Sequence, residues 1–132
     1  MMKKLETTKE IGDFGERIAA RYLALRGYAI KERNWRVGHM EIDIIAVGWK
    51  DIVFAEVKTR TYTKESLQSA PPPKTAVHAE KQRLTRLAAR KYLLDHPTKK
   101  QPRMDVIEVW LLKNPDSEKT SVAKIHHIKA AY

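Results

Sequence analysis

Two neighbouring stretches decide the fold: MEIDIIAV at residues 40–47 and IVFAEVKT at residues 52–59. The first alternates, the second is rich in β-branched and aromatic residues, and Gly48-Trp49-Lys50-Asp51 between them supplies a turn. Together they predict an antiparallel hairpin. Residues two apart on a strand point to one face. Glu41 and Asp43 therefore share a face, with Met40, Ile42, Ile44 and Ala46 on the other. Glu56 and Lys58 share a face in the same way, opposite Val53, Ala55 and Val57. Twelve residues separate Asp43 from Glu56, short enough for the hairpin to set the two polar pairs side by side.

Working outward, Ile11, Phe14, Ile18, Tyr22 and Leu25 recur at three- and four-residue steps and predict a helix over 9–26, with Thr7 or Thr8 as cap and Gly27 at its end. Residues 28–36 read as a strand. Residues 60–75, which include Pro71-Pro72-Pro73, read as a flexible exposed loop. A second helix is predicted over 76–95, with Val77, Leu84, Leu87, Ala88 and Leu94 on its apolar side, then strands near 103–112 and 120–128. A strand–helix–strand step is normally a right-handed crossover, which makes the third and fourth strands parallel. The expected fold is α/β, one domain over 1–132, with an α-β-β-β-α-β core whose mixed sheet is flanked by helices.

Acids inside such apolar strands need a cation, because a buried carboxylate without compensation costs several kcal/mol. Lys58 neutralises one charge and a divalent ion the others. Mg²⁺ takes one or two carboxylates together with waters and substrate phosphate, which suits this cluster; Mn²⁺ is the alternative. The chemistry that follows is phosphodiester hydrolysis. Asp43 and Glu56 hold the metal with the backbone carbonyl of Val57, Glu41 binds a second ion or a ligating water, and Lys58 orients the attacking water or stabilises charge on the phosphate. The competing account is a salt bridge from Lys58 to Glu41 or Asp43 across the strands.

Of the 132 residues, 26 are Lys or Arg and 16 Asp or Glu, a net charge of +10 that points to a polyanion partner. The second helix concentrates this charge at Lys81, Arg83, Arg86 and Arg90, with Arg60 before it and Lys99, Lys100 and Arg103 after. Such groups contact phosphates without reading sequence. Trp49 at the turn and Tyr62 in the loop are candidates to stack on unpaired bases, with packing the open alternative for Trp49, whereas Trp35 and Trp110 read as packing residues. The absence of cysteine excludes disulfides and thiolate chemistry, and the five histidines show no HExxH spacing. No apolar run approaches the ~20 residues of a spanning helix, and MMKKLETTKE lacks the apolar stretch of a secretory signal. A cytoplasmic protein without membrane attachment is expected.

The order of elements, with D(x12)ExK across two strands, resembles the PD-(D/E)XK nuclease superfamily. GERIAARYLALRGY (15–28), RNWR (33–36), EIDIIA (41–46), VFAEVKTR (53–60), AVHAEKQRL (76–84) and RMDVIEV (103–109) resemble the YraN-like bacterial family, which is endonuclease-like and compared with archaeal Holliday junction resolvases. The resemblance implies a Mg²⁺-dependent endonuclease site at Asp43, Glu56 and Lys58. It adds Glu16 as an acid facing that site and Lys81 as a lysine able to reach substrate phosphate. It implies DNA as substrate, branched or otherwise structured, with a role in repair or recombination, and it makes a homodimer possible because a four-way junction has two symmetric cleavage points. The rival reading is a non-catalytic nucleic-acid-binding module that keeps the fold.

Overall fold

A computed structural model describes residues 2–73 and 78–132. Its elements are β1 (Met2–Lys4), α1 (Thr8–Leu25), β2 (Ala29–Val37), β3 (Met40–Val47), β4 (Asp51–Tyr62), α2 (Lys64–Gln68), α3 (Ala79–Asp95), β5 (Gln101–Lys113) and β6 (Lys119–Ile128). Thr7 caps α1 through a capping box with Glu10, and Gly27 follows the helix at φ 92°, a left-handed conformation that costs glycine little.

One sheet holds all six strands in the order β1-β6-β5-β4-β3-β2. β4 and β5 run parallel from Asp51↔Gln101 to Tyr62↔Leu112, as the crossover rule requires, and the other pairs are antiparallel. This is the mixed sheet and α-β-β-β-α-β core of a restriction-endonuclease-like fold. The sequence reading lacked β1, which lies along β6 at the sheet edge. Residues 60–62 belong to β4, and Thr63 caps the short α2 within the stretch read as loop. Ala76 and Val77, read as the start of the second helix, lie outside the described residues.

Two cores sandwich the sheet. Phe14, Ile18, Ala19 and Leu23 of α1 pack on Ile44, Ala46, Val53, Ala55, Ile107, Val109 and Leu111. On the opposite face Ala88, Ala89 and Tyr92 of α3 pack on Ile42, Ile45, Ile52 and Phe54. Leu25 and Leu94, assigned to apolar stripes by periodicity, are exposed near the helix ends.

Period-two reasoning put Ile42, Ile44 and Ala46 on one face. The structure corrects this: Ile42 belongs to the α3 core, Ile44 and Ala46 to the α1 core. The cause is local. β2 shifts register between Ile30 and Glu32, and Asn34, opposite Asp43, adopts φ 52°. The two strands turn over together at that point, and Asp43 sits where the faces exchange.

Candidate functional site

The β3–β4 ladder runs from Val47↔Ile52 to Ile44↔Ala55 and stops, while β3 stays paired with β2 down to Met40↔Val37 and β4 continues beside β5. The sheet forks here. Asp43 stands at the crotch of the fork, and its Oδ2 accepts a 2.8 Å hydrogen bond from the Val57 N–H, a backbone donor on the strand that has turned away. Burial, together with the neighbouring charges of Glu16, Glu41 and Glu56 and against that one hydrogen bond, pushes the Asp43 carboxyl up to about 6.

Glu56 lies on the α3 face of β4. Its Oε1 pairs with Lys81 Nζ of α3 at 2.7 Å, while its Oε2 is buried without a hydrogen-bond partner. The hydrogen bond to Glu56 in turn raises the Lys81 ammonium's pKa, against its partial burial. Lys58 follows Glu56 by two residues and shares its face of the strand, opposite Glu108 of β5 in the ladder.

Glu16 comes to the cluster from α1. The residue before it explains how: a Cβ on Gly15 would run into the Thr59 side chain of β4, so only glycine lets the helix lie this close. Glu16 accepts a hydrogen bond from the Asn34 side chain, and burial first, then the charges of Asp13 and Glu41, still raise its pKa above the ordinary value. Glu41 is at the exposed rim, 3.4 Å from Arg36. It lines a cleft of about 460 Å³ between the β2–β3 turn, with His39, and the first turns of α3, with Lys81, Thr85 and the preceding His78. Tyr132 folds onto the same helix, hydrogen-bonded to Thr85 and with its ring 5.3 Å from the Arg86 guanidinium.

The predicted cation stripe is partly spent inside the molecule. Arg83, Arg86 and Arg90 are exposed, but Arg83 pairs with Glu80 at 2.7 Å. Arg60 donates to the buried Glu108 at 2.8 Å, and Glu108 also accepts from Trp110 Nε1. Arg103 is no surface cation: it binds Asp51, Asp105 and Tyr28 beneath α1. Lys100 donates to the carbonyls of Gly48 and Trp49.

Among the described residues no three His, Asp or Glu side chains are grouped closely enough to form a metal cage. The donor chemistry nevertheless fits a hard divalent ion that keeps most of its waters, because Asp43 is a destabilised anion and Glu56 has a buried oxygen without a donor. Reading the sequence identified Glu16, Glu41, Asp43, Glu56 and Lys58, and the fold gathers them at or beside the fork. It missed Gly15, Asn34 and the Lys81–Glu56 pair. The adjacency of Gly15 to Glu16 and an Asn inside a strand were the available signals.

Fold and site define a restriction-endonuclease-like α/β chain with an acidic notch where its sheet forks. Residues 15–109 match the model of the Uncharacterised protein family UPF0102. A UPF0102 protein of Caldanaerobacter subterraneus is 42% identical over 132 residues, covering 99% of this chain and 100% of the relative. One of Geotalea uraniireducens is 40% identical over 129 residues, 94% and 90% of the two chains, and one of Bacteroides fragilis 37% over 122 residues, 92% and 91%. The chain belongs to the UPF0102 (YraN) family.

Proposed function

We propose that this protein is a metal-dependent nuclease that hydrolyses DNA phosphodiester bonds in branched or otherwise structured DNA. One observation carries the reading: a fold that could have filled the fork with apolar residues keeps Asp43 there as a strained anion, next to a Glu56 oxygen that nothing satisfies. Mg²⁺ or Mn²⁺ held by Asp43 and Glu56, with the Val57 carbonyl, would polarise the phosphate and supply a nucleophilic water. The rest falls to the chain. Lys58, beside Glu56 on β4, orients the water or stabilises charge on the phosphate. Lys81 is seated on Glu56 at 2.7 Å and more than half exposed, so it can exchange that carboxylate for a substrate phosphate as the cleft fills. Glu16 and Glu41 hold water at the margin, and Arg86 and Arg90 supply non-specific phosphate contacts.

The test is a labelled panel of single strand, duplex, flap, four-way junction and RNA hairpin, incubated with Mn²⁺ or Mg²⁺ against EDTA, with Glu56→Gln alongside. Metal-dependent cutting that falls at least about a hundredfold in the variant supports the reading. Binding of every member without cutting replaces it with the non-catalytic module.

A further inference from the structure

Away from the fork, the β3–β4 turn presents an indole to solvent. Trp49 is 89% exposed, the most exposed large hydrophobic residue among those described. The turn beneath it is not loose. Lys100 Nζ donates to the Gly48 carbonyl at 3.0 Å and the Trp49 carbonyl at 2.6 Å, Gly48 N–H bonds Asp51 O at 2.8 Å, and Gln101 N–H bonds Lys50 O at 2.9 Å. Tyr28 packs against Gly48 so closely that a Cβ there would lie 2.7 Å from its ring. The fold therefore fixes the backbone under an aromatic ring that contributes little to its core.

Trp49 and Tyr28 wall a cleft of about 370 Å³. Arg26, Lys50 and Lys129, all exposed, line the same cleft. Among the described residues lining it Asp51 alone is acidic, and its carboxylate is taken by Arg103 at 2.8 Å. An aromatic face carried on a held turn, with three cations lining the same cleft, complements a base and its phosphates. In a duplex the bases are already stacked, so the ring's natural occupant is an unpaired nucleotide. The turn begins five residues from Asp43, roughly 17 Å along the strand, so the cleft is a separate place from the acid notch.

We infer that the Trp49 cleft is a second nucleic-acid site that holds an unpaired strand by stacking, with Arg26, Lys50 and Lys129 on its phosphates. This rests on the nucleic-acid partner of the proposed function and sharpens it: the substrate carries a single-stranded arm, and the protein grips that arm away from the cut.

The experiment uses the Glu56→Gln protein in EDTA, so that nothing is cleaved. It is titrated at fixed salt with a labelled twelve-residue oligothymidylate and, separately, with a blunt duplex. Anisotropy and tryptophan emission are read for the parent and for Trp49→Ala and Trp49→Phe. The expected result is quenching by the single strand, affinity for it weakened roughly five- to a hundredfold by Trp49→Ala, most of it kept by Trp49→Phe, and unchanged duplex affinity. Failure of the parent to bind the single strand, equal single-strand affinity of parent and Trp49→Ala, or an equal loss on duplex would overturn the inference; the second would leave the turn as a surface for a protein partner. The outcome stands whether or not the unmutated protein cuts, so it separates failure of this site from failure of the nuclease reading.

Discussion

Two aspartates of one sheet received opposite treatment from the fold. Asp105, fully buried on β5, accepts from Arg103 through Nε at 2.9 Å and through an Nη at 2.8 Å, contacts His127 Nε2 at 2.6 Å, and takes the Ala130 N–H at 3.0 Å. Burial alone would raise its pKa, yet these donors bring it down to about 2. Asp43 has one backbone donor, three acids for neighbours and a pKa pushed up to about 6. The first carboxylate is cement between β5, β6 and the segment after β6. The second is a charge the fold tolerates at a cost, and such pairs of environments are where structural and chemical roles part company.

The sharpest way to break this comparison is to remove each charge and watch the sign. Asp105→Ala leaves Arg103, whose side chain is only 15% exposed, without its principal partner, and should cost about 3–5 kcal/mol in denaturant unfolding. Asp43→Asn should do the reverse at pH 7.5. Its carboxyl is mostly neutral in both states below about pH 3; as the pH rises the unfolded chain ionises first, and the full penalty is in place above about pH 7. The substitution therefore gains roughly 2–3 kcal/mol at pH 7.5, a gain that vanishes at about pH 3. A fall in stability at pH 7.5 would place Asp43 with Asp105.

Adding a divalent ion sharpens the same contrast. Mg²⁺ should raise the melting temperature of the unaltered protein and of Asp105→Asn by the same small increment, and leave Asp43→Asn unmoved. Gly15→Ala must force α1 off β4, costing about 1–3 kcal/mol, and should depress turnover more than an equally destabilising core change such as Ile107→Val. The smallest effect is expected at Lys81→Met. Lys81 stands half in solvent while Glu56 is largely buried, so loss of the pair should cost about 1 kcal/mol in thermal melts, while affinity for DNA falls.

The two regions also differ in how far the sequence announced them. Glu41, Asp43, Glu56 and Lys58 were legible because strand geometry fixes side chains two residues apart, and their apolar setting marked them as unusual. The order of elements and the parallel β4–β5 pair followed from periodicity and crossover handedness. The fork did not, because it depends on the positive φ of Asn34, of which an Asn within a strand is only a faint trace, and on a register shift in β2, which leaves none. The Arg103–Asp105–His127 network was invisible for another reason: its members are joined by pairing between β5 and β6 across more than twenty residues, and Arg103 alone resembles any surface cation. β1, at three residues, is too short to carry a period.

Gly15 has a consequence that reaches beyond its own packing. With no side chain on the helix at this point, the α1 backbone meets the Thr59 side chain of β4 directly, and any larger residue would push the two apart. Thr59 adjoins Lys58 in β4 and Gly15 adjoins Glu16 in α1, so the contact works as a gauge block between two charged groups that come from distant parts of the chain.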